Sequence, residues 1–407
     1  MAKLGFRGLT SGYSTDGNGG VYNYTPVVIA DYLFDTGEST ILYNEGSPGS
    51  IVRRYVPIVY NDLSSSWTST IRRNGIDTDN VITVPSATTG HFYSDEIVTY
   101  NVGDQLTFKE YTTSDYPDSI WPIPTFMIAY TKAVRPKFMT WFFTIPQNTT
   151  MYFSLIGTAI STESKVQTNM LFAGSMKYFC IYVGSNTLTG SATYTSRKNG
   201  ANGNLSIIVP GGTTGYYEDT TTVDEFVAGD DICFKQVNAA GGTSIRSNIV
   251  CEVEDYSGKT LCEYASNISV SSNRNRYVPI IGTADPTNTE SEILMYMPTK
   301  TKFSNFQVAV GVNSVNGNTD FSLRVNQTNI ITITVGASTT GVFSDTSSTA
   351  TAEQQQSVSI KQAVAGSTGG ITLNVVNVSM DLGDYDLSSF RKDIKIRPRA
   401  FAPGVAR

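Results

Sequence analysis

The feature that most constrains this chain is that it says the same thing three times. The stretch "VITVPSATTGHFYSD" in the first third returns as "SIIVPGGTTGYYED" (Ser206 to Asp219) and again as "ITITVGASTTGVFSD". The Thr-Thr-Gly glycines are Gly90, Gly215 and Gly341, at steps of 125 and 126 residues. Lys109, Lys235 and Lys361 follow at steps of 126 and 126, and "LIGTA" at 155–159 returns as "IIGTA" at 280–284. "RRNG" at 72–75, "RKNG" at 197–200 and "RVNQ" at 324–327 keep the same beat. A period this long exceeds the roughly 20 to 50 residues of a solenoid unit and fits a whole domain, so three beads with separate cores are expected.

Within a bead, short runs such as "KYFCIYV", "NLSIIVP", "DICFKQV" and "SNIVCEV" alternate with Gly, Asn and Thr turns. That is strand and hairpin chemistry, and many short strands at such spacing predict a β-sandwich or jelly roll. Composition agrees: only 16% of the residues are charged, and the charged helix formers are scarce. The expected fold is all-β, with three tandem jelly-roll-like sandwiches at 25–130, 131–257 and 258–384. A flexible Gly-rich arm over 1–24 precedes them and a basic tail over 385–407 follows.

The glycine of each turn can take positive φ, letting one strand stop and the next begin. The aromatic two places on (Phe92, Tyr217, Phe343) is then aimed the same way in every bead. A ring that recurs three times is read as plugging a core edge; the alternative is a platform for stacking sugar. The third bead departs from the others at Gln354–Gln356, where they carry Gly103-Asp104 and Gly229-Asp230, so its packing is expected to differ.

Chemistry is sparse. The one histidine, His91, sits beside the first turn and is replaced by Tyr216 and Val342 in the other copies, a poor basis for a catalytic triad. No phosphate-cradling loop appears. Asp16, Asp77 and Asp79 could offer oxygens to calcium, yet none completes a twelve-residue loop with its final Glu. Cys180, Cys233, Cys251 and Cys262 lack the spacing of a metal clip or a dense disulfide framework and read as small apolar residues. No catalytic, cofactor-binding or metal residue is assigned, and no enzyme activity is expected.

Net charge is −6 and the body carries no long basic run, which argues against nucleic acid as a partner. The opening "MAKLGFRGLTSGYSTDGNGG" lacks the apolar stretch of a secretory signal, and no run of about 20 apolar residues could span a bilayer, so synthesis in the cytoplasm without membrane insertion is expected. The tail is different: Arg391, Lys392, Lys395, Arg397, Arg399 and Arg407 stand against Asp393 alone. Its "DIKIRPR" alternation suits an edge strand lent to a partner's sheet, the alternative being a solvated tail.

Taken together, "IPQNTT" at 145–150 leading into a strand, and the turn "VP-x-x-TTG" closing a later one, resemble the tandem β-sandwich modules of structural proteins in tailed bacteriophage virions, such as capsid decorations and tail fibres. The resemblance spans about 55–380. It implies a virion protein without enzymatic activity, assembled as a homotrimer and attached through a terminal segment to other capsid or tail proteins. A receptor-binding adhesin for host-surface carbohydrate is the alternative, and a carbohydrate-cleaving enzyme a more distant one.

Overall fold

The computed structural model describes residues 2–8, 15–18, 22–26 and 44–385, apart from 123–124, 131–136, 141–142, 158, 267 and 283–284. The fold is all-β, and one pattern of strand pairing occurs three times among the described residues. In the first set the strands are β1 (Ala2–Gly8), β2 (Thr15–Asn18), β3 (Tyr22–Pro26), β4 (Gly49–Asn61), β5 (Trp67–Arg73), β6 (Ile76–Val84), β7 (Gly90–Ser94), β8 (Val98–Tyr100), β9 (Leu106–Thr112), β10 (Asp115–Pro122) and β11 (Thr125–Tyr130). The second set comprises β12 (Lys137–Met139), β13 (Phe143–Pro146), β14 (Thr150–Phe153), β15 (Ala159–Ile160), β16 (Thr168–Asn169), β17 (Gly174–Leu188), β18 (Ala192–Lys198), β19 (Ala201–Val209), β20 (Gly215–Phe226), β21 (Asp231–Asn238) and β22 (Gly242–Asp255). The third comprises β23 (Thr260–Ala265), β24 (Ser269–Ser271), β25 (Arg274–Val278), β26 (Met295–Tyr296), β27 (Thr301–Asn313), β28 (Thr319–Val325), β29 (Thr328–Val335), β30 (Gly341–Ala352), β31 (Ser357–Val364) and β32 (Gly370–Asp381). A last short strand, β33 (Asp384–Tyr385), pairs with β1.

In each set a long central strand (β4, β17 or β27) lies between the set's last long strand (β10–β11, β22 or β32) and the strand that follows the Thr-Thr-Gly turn (β7–β8, β20 or β30). The first short strands of the set pair on the far side of the last strand. The second sheet is built the same way, in the order β3-β9-β5-β6 for the first set, with β14-β21-β18-β19 and β25-β31-β28-β29 as its counterparts. Numbering the eight strand positions of a set in chain order, the two sheets run 1-8-3-6 and 2-7-4-5. All these pairings are antiparallel and this order is a jelly roll.

Two expectations need correction. Residues 1–24, read as a flexible arm, contain β1, β2 and the start of β3, which pair with β11, β10 and β9 respectively. The eight-position fold needs strands at positions 1 and 2, and this segment supplies them, with β2 and β3 at sheet edges and β1 between β11 and β33, because pairing context outweighs the intrinsic strand propensity of a Gly-rich sequence. Nor does each bead keep its own core. Val56, Ile58, Leu63, Trp67, Ile82 and Val84 form a cluster inside the first set, but one continuous cluster fills the second and third sets and reaches Val52 and Ala129 of the first.

Burial along single strands explains why. The sequences of β6, β19 and β29 end in clean alternation of buried and exposed residues, one face in the core and one in water. By contrast β23 is buried throughout, as are Ile371–Met380 of β32 and Ser247–Asp255 of β22. A strand buried on both faces has something packed on the outside of its sandwich, and here that is the neighbouring set.

Candidate functional site

The repeated turn is built first by backbone and then by a side chain the sequence reading missed. Gly90, Gly215 and Gly341 have φ of +131°, +106° and +119°, and nothing stands within 4 Å of where a Cβ would be, so backbone conformation alone selects glycine. Phe92 packs against the first set's core, and Tyr217 and Phe343 against the shared one. Each turn is held from below by a buried asparagine at the end of the central strand. Asn186 Nδ2 donates to the carbonyls of Pro210 (2.9 Å) and Thr213 (3.1 Å), while its Oδ1 accepts from the Leu188 N–H (3.1 Å). Asn61 does the same with Pro85, Thr88 and Leu63, and Asn313 with Gly336, Thr339 and Val315. The signal was present in the sequence: "NDL", "NTL" and "NSV" recur at steps of 125 and 127.

The repeated arginine also has a structural task. Arg197 forks onto Glu163 with two bonds of 2.9 Å, bonds the hairpin carbonyl of Gly200, and lies over the Tyr152 ring at 5.9 Å. Arg324 repeats this with Glu290, Gln327 and Tyr277, and Arg72 bonds the Gly75 carbonyl and pairs with Asp77 at 2.8 Å. Asp77, weighed above as a calcium ligand, is thus engaged by Arg72 and by Lys109. The "QQQ" departure leaves its turn unchanged. Gln355 takes positive φ where Gly103 and Gly229 do, and Gln356 accepts the Glu353 N–H at 2.8 Å, as Asp104 and Asp230 accept those of Asn101 and Val227.

The arrangement with functional reach is the set of seams between sandwiches. The residue five places before each central strand is Asn44, Asn169 or Tyr296. Each of these segments rests on the next set. In the first seam, Gly46 N–H and Ser47 Oγ donate to the two oxygens of buried Glu252, both at 2.9 Å, and Lys137 donates to the Asn44 carbonyl at 2.6 Å. Lys137 and Glu45, each 2% exposed, face one another at 3.6 Å. A Cβ on Gly46 would stand 2.3 Å from the Tyr178 ring, so only glycine admits this approach.

In the second seam Asn169 accepts from Gln307 Nε2 at 2.9 Å and its carbonyl from Asn377 Nδ2 at 3.2 Å, and Thr168 Oγ1 donates to Glu263 Oε2 at 2.5 Å. Burial pushes the Glu263 carboxyl up to about 7, against the opposing pull of Thr168 and of the Ile156 and Leu155 N–H groups. In the third seam the segment of the last set returns to the first. Tyr296 meets His91 edge to face at 4.6 Å, and Arg53 Nη1, whose other nitrogens hold Asp95, donates to the Pro298 carbonyl at 3.2 Å. His91 Nδ1 shares a 2.6 Å hydrogen bond with Tyr55 Oη, and burial lowers the imidazole's affinity for a proton. Set one sits on two, two on three and three on one, so the head-to-tail contacts close into a ring within a single chain.

Among the described residues no group of three or more His, Cys, Asp or Glu is placed to hold a metal. The four cysteines are buried and unpaired with one another, and burial raises their thiol pKa values, which makes them inert rather than nucleophilic. No described helix is long and apolar enough to cross a membrane. The basic residues Arg391, Lys392, Lys395, Arg397 and Arg399 lie outside the described residues.

No protein-family model matches the chain, and no curated protein does. Among solved structures, the chain is similar to one from the triple jelly roll fold and turret assembly of an archaeal virus, with 13% identity over 84% of this chain and 82% of that one and a TM-score of 0.19. A chain from Sulfolobus turreted icosahedral virus matches with 14% identity over 82% and 80%, at a TM-score of 0.17. PNGF-II matches with 9% identity over 82% and 99%, at 0.22. Likenesses at these scores span viral and non-viral proteins alike and do not bear on activity.

Proposed function

We propose that this chain is a structural protein of a virion, without enzymatic activity, in which three jelly rolls fused in tandem form one ring-shaped building block. The observation that carries the reading is the cyclic closure of the three seams. Structural jelly rolls commonly gain stability by covering sheet faces through symmetric association. Here each set covers its neighbour, and β33 then adds to the first set's sheet, so the last strand before the tail is fixed beside the first strand of the chain.

In the finer form of the proposal the virion is that of a tailed bacteriophage, the ring is a capsid decoration or tail component, and the basic segment 385–407 docks it to the particle. In place of the homotrimer implied by the family resemblance, one chain supplies all three positions of the ring. Light scattering of the recombinant protein tests this directly: the expected mass is that of one 44.2 kDa chain. A trimer built by exchange of sets between chains would refute the single-chain ring. Docking is tested by co-sedimentation with purified particles, where removal of 386–407 is expected to abolish binding and leave the monomer folded.

A further inference from the structure

The third sandwich departs from its copies at one edge. Opposite the inward-facing, buried Glu110, Gln236 and Gln362 of β9, β21 and β31 stand Asn23, Met151 and Arg276 respectively. Only the third copy places a cation there, and a second one, Arg274, lies two residues along the same strand and on the same face. Their register partners, Gln362 and Val364, are both buried, so both arginines leave the strand on the side that faces between the two sheets. Gln362 is fully buried, yet among the described residues neither its Oε1 nor its Nε2 has a hydrogen-bond partner. An amide left in that state, with an arginine as its register partner, marks an unfinished polar environment.

At this edge, where β24 turns into β25, a cleft of about 320 Å³ opens. Arg274 and Arg276 line it together with Asp285 and Ser269, and Ile268 and Pro286 supply apolar wall. Arg276 is oriented by donating Nη1 to Asn288 Oδ1, and among the described residues its other guanidinium nitrogens have no acceptor.

We infer that this cleft binds a carboxylated sugar. Two guanidinium groups recognise a carboxylate by paired, charge-assisted hydrogen bonds. Asp285 accepts hydroxyl donors, which a polyol has and a simple anion lacks. Ile268 and Pro286 offer a surface for the C–H face of a pyranose. A phosphate or sulfate would use the arginines but leave the apolar wall of Ile268 and Pro286 without a partner, whereas a sugar also offers hydroxyls to Asp285 and a C–H face to that wall. The inference does not depend on the virion reading, because a ring that fails the mass test above can still bind sugar through its third sandwich.

The test is calorimetric titration of the full chain with sodium glucuronate, its uncharged methyl ester, glucose and an oligo-glutamate peptide. Saturable binding of glucuronate is expected, with the ester and glucose at least about ten-fold weaker, the effect of losing a charge-assisted hydrogen bond. Arg274→Ala and Arg276→Ala should each weaken glucuronate by about ten-fold or more. Arg274 is exposed, so its variant is expected to keep the parent's thermal midpoint and decides the matter if Arg276→Ala unfolds. Equal binding of acid and ester, unchanged affinity in the Arg274 variant, preference for oligo-glutamate, or no saturable binding of glucuronate would each overturn the inference.

Discussion

Replacing Asn186 by alanine isolates the device that holds the repeated turn. The side chain makes three bonds, two donated to the Pro210 and Thr213 carbonyls and one accepted from Leu188 N–H. The carbonyls are at a turn that water can reach, so each lost bond there costs about 0.5 kcal/mol, whereas the buried N–H left without a partner costs about 1–2 kcal/mol. The expected loss is about 2–3 kcal/mol. Over a cooperative unit of roughly 250 residues that lowers the midpoint by about 5–10 °C, readable by scanning calorimetry. Asn186→Asp separates the clamp from mere packing. It keeps the acceptor for Leu188 but presents a second carboxylate oxygen to two carbonyls, so at pH 7 it should be no more stable than alanine. If aspartate is tolerated like asparagine, or alanine costs under about 0.5 kcal/mol, the three-way clamp is not what holds the turn. Asn61→Ala and Asn313→Ala should behave alike, since their partners are equivalent.

Two further outcomes follow from the same geometry. Glu263 is protonated more readily when folded, at about 7 against an ordinary 4.5, so the folded state binds the extra proton and this group's stabilising share, present below about 4.5, is lost as pH rises through 7. Glu263→Gln should remove that decline and exceed the parent by about 3 kcal/mol at pH 8; an unchanged pH slope in unfolding titrations would refute it. Because one apolar cluster fills the second and third sets and reaches the first at Val52 and Ala129, while the first also has a cluster of its own, calorimetry should resolve two transitions with the larger enthalpy in the C-terminal unit, and limited proteolysis should release residues 137–381 as one fragment. A single transition, or separate release of the second set, would count against the shared core.

What could be read in the sequence is what each copy must satisfy locally. Gly90, Gly215 and Gly341 recur because a positive φ admits little else, and Arg197 and Arg324 recur because a hairpin carbonyl and a nearby glutamate must both be met. Asn61, Asn186 and Asn313 were equally legible by spacing and were missed because asparagine is common in this chain. The seams could not be read. The landing segments lie around Asn44, Asn169 and Tyr296, and their partners lie far away along the chain and differ from seam to seam: Lys137 and buried Glu252 at the first, an amide pair and buried Glu263 at the second, a histidine at the third. The strands of the first 24 residues were hidden for another reason, since their pairing is decided by the open edges of β9, β10 and β11 rather than by their own Gly-rich composition.

The unlikeness of the seams bears on why the three jelly rolls share a chain. Between separate subunits, a ring of identical contacts would require one patch to serve three times, and any change in it would be felt at every seam. Fusion removes that constraint. It also supplies an effective concentration that for short connections reaches about millimolar, so seams resting on a few hydrogen bonds, such as Arg53 to Pro298, can close although they would hold separate molecules together poorly. Each seam is then free to set its own contacts: Glu252 and Glu263 each accept a hydroxyl, from Ser47 and from Thr168, at strand positions of different sets, and the third seam uses His91. The same freedom lets a single copy acquire what the others lack. Arg276 occupies a register position that holds Met151 in the second copy and Asn23 in the first, so a binding cleft can arise on one sandwich while the other two keep their edges plain.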